Sequence, residues 1–297
     1  MYAQTPAARG ERPFSVTHYD VQIEPRLESR SVTGTVTVSV VLHRDDVETI
    51  VLDRGRLEID GVQEDGRTRA FVLDGTRVRI TLPRGRPNAV RTLTVRYHGA
   101  PSSGVVFSAE REQVYTVFST SQWMTALDEP SARATLRLRV IMPREWTGAG
   151  SGRHVSRRLV SPDKALVEWR VERPVPTYTF GFAVGRFDEV EDRRSRVGLT
   201  YLARGMSPDD VRRVFDESAR MMAFFEERAG VAYPANTYSQ VLVERTRVRR
   251  WPGSRFSPRR TAARSWLIRL RSASSLTSSP TNGGATWSPA MRGRSSG

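Results

Sequence analysis

Residues 17–42 read THYDVQIEPRLESRSVTGTVTVSVVL, and the alternation in this stretch sets the fold class. Tyr19, Val21 and Ile23 recur at period two, and so do Val36, Val38 and Val40. Each run lays an apolar row on one side of a strand and leaves the intervening polar residues in water. The same signal returns at Val78, Ile80 and Leu82, at Leu93, Val95 and Tyr97, and, beyond Pro130, at Leu136, Leu138 and Val140. Asp60-Gly61, Asp65-Gly66 and Asp74-Gly75 read as turns between strands, at the spacing of hairpins in a β-sandwich. Further strands are expected at Leu166 to Val171 and at Thr177 to Val184.

The period changes at Ser207. Ser-Pro-Asp-Asp supplies a capping hydroxyl, a proline at the first helical position and acids at the positive end of the helix dipole. Val211, Val214, Phe215, Met221, Met222 and Phe225 follow at helical spacing, and Gly230 is the natural stop, so one helix is expected from Ser207 to Ala229. With a strand before it at Leu199 to Leu202 and another after it at Tyr238 to Val243, it opens a mixed α/β domain. The expected division is a flexible 1–13, a β-domain over 14–192, the truncated start of an α/β domain over 193–244, and a basic Arg/Ser-rich tail over 245–297 without regular structure.

Composition narrows the chemistry. No cysteine is present, which removes disulfides, thiolate metal sites and cysteine nucleophiles and leaves His, Asp, Glu and Ser. No apolar run approaches the roughly 18 residues of a membrane helix, and the first residues, MYAQTPAARGERPF, do not form a secretory signal, so a cytoplasmic address without membrane contact is expected. The net charge of +15 is local: from Arg245 to Gly297 there are 12 Arg and no Lys, Asp or Glu. Residues 1–244 therefore carry +15 − 12 = +3. Lysine occurs once, at Lys164, against 46 Arg, a bias that GC-rich codons produce.

Several phrases together resemble the aminopeptidase N family of zinc metallopeptidases. THYDVQIEP (Thr17 to Pro25) resembles its opening strand, and YTVFSTSQWMTALDEPSARATLRLRVIMP (Tyr115 to Pro143) its central Asp-x-Pro segment. PVPTYTFGFAVGRF (Pro174 to Phe187) resembles the strand that closes the N-terminal domain. The helix from Ser207 and YPANTYSQVLV (Tyr233 to Val243) resemble the start of the thermolysin-like catalytic domain. The resemblance implies a mainly β fold, with a saddle-shaped N-terminal β-sandwich and the beginning of an α/β domain. In the intact enzyme it implies removal of N-terminal residues from a peptide substrate by water that zinc activates. Such enzymes grip the metal through H-E-x-x-H plus a later Glu, because two His at i and i+4 point at one ion.

This sequence has no such motif. Its four histidines, His18, His43, His98 and His154, are far apart, and the family's Gly-x-Met-Glu-Asn type segment is missing too. No catalytic residue, no metal ligand and no bound zinc are therefore expected in this chain. The tail suggests why. Taking the last base of each codon with the first two of the next, LTSSPTNGGATWSPAMRGRSSG (Leu276 to Gly297) can be read as HELAHQWWGNLVT followed by a segment compatible with AWSEFW. These resemble the family's zinc helix and its continuation. A frameshift after about Glu244 accounts for both the basic tail and the lost motif.

Gln122 is the candidate for the family's cleft-lining glutamine, although STSQWM departs from the commoner pattern. Asp128 and Glu129 read as residues that order a turn rather than as an acid/base pair. Gly148 to Gly152 reads as a β-turn, not a phosphate loop, because no helix follows. Each lone His reads as a strand residue with a satisfied hydrogen bond. Two other readings stand beside the peptidase fragment. One is a β-sandwich binding module whose arginines, with Trp251, Trp266 and Trp287, contact nucleic acid. The other is a non-catalytic scaffold, which an exposed apolar side on the helix after Ser207 would disfavour.

Overall fold

The computed structural model describes residues 12–233, 235–244 and 265–270, the last six and residue 244 by backbone alone. The strands run β1 (Phe14–Arg26), β2 (Ser31–Leu42), β3 (Thr49–Asp53), β4 (Glu58–Glu64), β5 (Arg67–Thr68), β6 (Phe71–Asp74), β7 (Arg77–Thr81), β8 (Val90–Gly99), β9 (Val105–Ser108) and β10 (Gln113–Thr116). They continue as β11 (Arg133–Pro143), β12 (Thr147–Gly150), β13 (Arg153–Ser161), β14 (Lys164–Pro176), β15 (Phe182–Gly185), β16 (Asp188–Asp192) and β17 (Gly198–Ala203). Helices α1 (Pro208–Val214) and α2 (Ser218–Ala229) precede β18 (Thr237–Glu244) and β19 (Ser265–Leu270).

The opening stretch forms the centre of the largest sheet, whose order is β13-β14-β11-β1-β2-β8-β4-β5. In the antiparallel pair β1–β2, Tyr19 faces Val38 and Val21 faces Val36, so the two apolar rows meet on one side. Strand β1 also pairs in parallel with β11, Val21 against Leu138, which joins the start of the chain to the central segment over a hundred residues later. All the alternating residues named above are buried, Tyr19, Val21, Ile23, Val36, Val38, Val40, Leu93, Val95 and Tyr97 completely. The three-stranded sheet β3-β7-β6 adds Ile50, Leu52, Val78 and Ile80 to the same core. Burial of each such side chain is worth about 1.5–3 kcal/mol, so the alternation alone drives the sandwich. Gly34 sits where any Cβ would run into the Tyr97 ring, so glycine there lets the tyrosine lie across the strand.

The other side of the large sheet is polar and held by charge pairs. Arg139 meets Asp20 at 2.5 Å, while Arg137 and Arg170 meet Glu168 at 2.8 and 2.7 Å. The hydrogen bond from Arg137, with that from Arg170, keeps the buried Glu168 carboxyl below the usual carboxylate range against the effect of burial.

A second four-stranded sheet, β12-β15-β10-β9, closes the β-domain, and a third, β16-β17-β18-β19, begins the next unit. Strands β17 and β18 are parallel and are joined through α1 and α2, the crossover that a parallel pair requires. The expected boundary at 192/193 lies between β16 and β17, which pair with each other in this third sheet. Of the tail, Ser265–Leu270 runs antiparallel to β18, and the rest of 245–297, like residues 1–11, lies outside the described residues.

Four local expectations change. Asp60-Gly61 is not a turn but a bulge inside β4 opposite β8, because the Asp60 carboxylate bonds His98 across the strands at 2.7 Å. Residues Thr177–Thr179 form a 3₁₀ turn, and the strand resumes only at Phe182. Gly148 to Gly150 are strand β12, not a turn, and the close approach of Trp169 to Gly150 leaves no space for a side chain. The single helix is two. Phe215 leaves the helical path to stack on Tyr201, ring centroids 4.5 Å apart, and the Ser218 hydroxyl turns inward to the Gln240 amide oxygen at 2.7 Å. The ends are as expected: Ser207 accepts from the Asp210 amide at 3.1 Å, and Gly230 stops α2 at φ 65°. Among the described residues no helix is long and apolar enough to cross a membrane.

Candidate functional site

At one end of the β-domain two 3₁₀ turns meet, Thr120–Gln122 and Thr177–Thr179. Buried hydroxyls tie them together: Thr120 donates to the Thr177 carbonyl at 2.8 Å, and Thr177 donates to the Leu127 carbonyl at 2.7 Å. The Leu127 amide in turn donates to the Tyr19 hydroxyl at 2.9 Å, so the rim is anchored to the central strand. Burial pushes the Tyr19 phenol above its ordinary range, which keeps it neutral.

Asp128 is a structural acid here. Its carboxylate accepts from the Ser121 amide at 3.0 Å, and its own amide donates to Asp53 at 3.1 Å. Glu129 pairs with Arg12. The two carboxylates thus have separate partners, the Ser121 amide and Arg12.

Gln122 is half-buried, and its side chain lies between Gly55 and Gly104, both at positive φ and both close enough that a Cβ there would collide with it. Its amide oxygen lies 3.5 Å from the Ser103 hydroxyl. The residues before it are strained: Phe118 and Ser119 hold φ 49° and 51°, a conformation costing on the order of 1–3 kcal/mol per non-glycine residue. Phe118 is nevertheless 73% exposed, with Val117 beside it and Tyr178 exposed on the neighbouring turn. Sequence reasoning picked out Gln122 but missed Phe118, since no pattern marks a left-handed phenylalanine. The rim offers an amide, carbonyls and aromatic surface. It has nothing poised as nucleophile or base.

The histidines do not converge. His18 Nδ1 bonds the Thr135 hydroxyl at 2.7 Å, and burial lowers its pKa despite the neighbouring Asp20. His98 lies between Asp60 and Glu58, which engage its two ring nitrogens from different sides. His154 packs edge-on against Trp169. Among the described residues no three of His, Asp and Glu are grouped so that they could hold a metal ion.

A second feature links the two units. Tyr115, Ala149, Ala183 and Phe187 of the β-domain pack against Leu202, Val241 and Val243 of the third sheet. At the edge of this contact Arg204 donates to the Arg111 carbonyl and to the Glu112 carboxylate, which Arg186 also approaches at 3.2 Å. Burial works to raise the Glu112 pKa, but the two arginines outweigh it and hold it low.

A model of the peptidase M1 N-terminal domain matches residues 15–179. The chain belongs to the M1 peptidase family. Among solved M1 members, the zinc metallopeptidase of Deinococcus radiodurans superposes with TM-score 0.68 at 25% identity, covering 80% of this chain and 58% of the Deinococcus chain. Its E323A mutant gives TM-score 0.65 at the same identity, over 77% and 56%. Among curated M1 relatives, mitochondrial aminopeptidase 2 of Saccharomyces cerevisiae is 20% identical over 76% of this chain and 26% of its own length. Human glutamyl aminopeptidase is 26% identical over 59% and 21%. Aminopeptidase N of Acetobacter pasteurianus is 20% identical over 80% and 71%. The chain thus spans about a quarter of the yeast and human relatives, and the family model itself matches its N-terminal β-domain.

Proposed function

We propose that this chain is the N-terminal scaffold of a zinc-dependent aminopeptidase whose metal-binding helix is encoded in a second reading frame, and that the 297 residues by themselves do not hydrolyse peptides. The observation that carries this reading is the shifted reading of Leu276 to Gly297 as HELAHQWWGNLVT, since each written residue constrains most of two bases in every shifted codon. Two facts support it. Family-like packing continues through Val241 and Val243, both buried against the β-domain. Beyond Glu244 come 12 arginines without one acid.

Within this reading the described residues have a binding role. In the intact enzyme the rim at Phe118, Ser119 and Gln122 would border the substrate cleft, with the Asp128 and Thr120 hydrogen bonds holding the Gln122 turn in place. The intact enzyme would act on the free N-terminus of a peptide, as the named activities of the relatives suggest, in a cytoplasmic setting. A self-contained scaffold is disfavoured because Val214, Met221, Phe224 and Phe225 leave an exposed apolar side on the helices.

Sequencing the coding DNA tests the reading: codons that cannot spell H-E-L-A-H in the alternate frame overturn it. With the purified chain, the expected results are no stoichiometric zinc by metal analysis and no release of chromophore from aminoacyl substrates. A gene with the frame restored should show both, with turnover that a chelator abolishes.

A further inference from the structure

The polar side of the large sheet holds a groove of about 430 Å³ where β1, β11 and β14 lie side by side, lined by His18 and Asp20, Thr135 and Arg137, and Arg170 and Glu172. Irregular pairing shapes it. Strand β1 carries an extra residue, Thr17, between Val16 and His18, which face Val40 and Ser39. On β14 three residues, Glu172, Arg173 and Pro174, lie opposite the single Thr135, since Ala134 faces Val175 and Leu136 faces Val171. Pro174 has no N–H to give the ladder there. Bulges bend their strands, and two of them at one level turn a flat sheet into a hollow.

The hydrogen bonds fix the state of His18. The Thr135 hydroxyl has one proton and donates it to the Thr17 carbonyl at 3.2 Å, so in the 2.7 Å contact with His18 Nδ1 it is the imidazole that donates. Burial holds the His18 pKa below its ordinary value, with Arg137 and Arg170 adding to the effect and Asp20 opposing it, so the ring is neutral at neutral pH. A neutral ring that donates through Nδ1 keeps a lone pair on Nε2. Arg137 is committed to Glu168 and Asp20, at 2.8 and 3.4 Å. Arg170 reaches Glu168 through Nε at 2.7 Å and, among the described residues, makes no other ion pair or hydrogen bond, while its side chain is 45% exposed. Two uncommitted groups therefore line the groove, an imidazole acceptor and the terminal fork of a guanidinium.

We propose that this groove binds a small monoanionic hydroxy acid, with its carboxylate on the Arg170 fork and its hydroxyl donating to His18 Nε2. A carboxylate matches a guanidinium fork in shape as well as in charge. A dianion such as phosphate would meet Asp20, Glu168 and Glu172 with one uncommitted arginine end to answer them. The donor is a hydroxyl rather than an ammonium, because the surroundings of His18 already work against a positive charge there. The volume lies at the small end of ligand sites, which run from about 300 to 1,000 Å³. Every residue involved belongs to the β-domain and none to the rim around Gln122, so the site stands whichever way the tail is read.

The test titrates the full 297-residue chain by calorimetry with lactate, and in separate arms with propionate, which lacks the hydroxyl, alanine, which carries an ammonium in its place, and inorganic phosphate. Lactate should bind at one site per chain, propionate and alanine about tenfold more weakly, and phosphate should not compete. Arg170→Gln should lower lactate affinity about tenfold, and so should His18→Asn, whose amide can still donate to Thr135 but has nothing at the Nε2 position. Arg96→Gln, an exposed arginine on β8 outside the groove, should leave affinity unchanged. Nitrogen NMR of the unmutated chain gives a reading free of folding effects: His18 should carry its proton on Nδ1, and lactate should shift the Nε2 resonance. Absence of saturable lactate binding overturns the proposal, as does alanine or phosphate binding as tightly as lactate, or affinity indifferent to both groove substitutions. If either variant loses the wild-type circular dichroism, the NMR decides, and a proton on Nε2 or an Nε2 signal that lactate does not move sinks the assignment.

Discussion

The β-domain and the unit that follows it treat their apolar side chains differently. In the β-domain every alternating row has a partner layer: β1, β2, β8 and β11 bury one side against the three-stranded sheet and the closing strands, and the other side is covered by ladders such as Arg139–Asp20 and Arg137–Glu168. In the second unit the sheet is covered on both sides, by the β-domain and by α1 and α2, yet the helices are bare outward. Val211 marks the boundary. It is fully buried against β16 and β17, whereas Val214 and Phe225, which belong to the same run of apolar residues in the sequence, are about half exposed. A core that closes on itself defines a unit able to stand alone, while a layer with an open apolar side is half of a larger one.

The strongest way to break this contrast is to attack the closed core. Trp123 is fully buried and meets Phe182 edge-on at 5.4 Å, so Trp123→Ala should cost about 3–5 kcal/mol and lower the melting temperature of the whole chain. Loss confined to the rim would show that the β-domain is not one cooperative body. Phe215→Ala sharpens the comparison from the other side. It should cost about 3 kcal/mol, yet raise amide exchange in 198–244 while leaving β1 and β2 protected, because its stacking partner Tyr201 lies in the second unit.

Acid should also separate the two. Hydrogen bonds from Arg194, with those from its backbone amide and from Tyr201, hold the Asp192 carboxyl down at about 2. A depressed folded-state pKa contributes stability above the unfolded value, near 3.8, that is lost as pH falls through about 2. Asp192→Asn should therefore remove on the order of 1–2 kcal/mol at neutral pH, with the difference from wild type shrinking as pH drops from 4 towards 2 in denaturant titrations. Smaller effects are expected at two backbone positions. Ser207→Ala removes the α1 cap and should cost about 1 kcal/mol. Ser119→Gly, at φ 51° in the rim, should stabilise by up to about 1 kcal/mol; a loss instead would mean that the serine side chain, not the strain, is what the turn uses.

Period-two rows were enough to read the β-domain, because alternation follows directly from the pleat and survives any arrangement of the sheets. Tyr19, Val36, Leu93 and Leu138 are core residues wherever their strands lie. The caps at Ser207 and Gly230 were equally legible, since each depends on the chemistry of one or two neighbouring residues. The Asp60-Gly61 bulge, the 3₁₀ turn at Thr177 and the break at Phe215 were not, because each is set by a partner distant in sequence: His98, Thr120 and Tyr201.

For the site the division is the same. Residue types and their order determined the family, the absence of a paired-histidine motif in these 297 residues and the candidate Gln122. Only the tertiary structure decided that Gln122 is gripped by Gly55 and Gly104, that the Asp128 carboxylate holds the Ser121 amide, and that Phe118 stands strained in solvent. Local pattern records what one segment demands of its surroundings; which surroundings meet that demand is settled when segments a hundred residues apart come into contact.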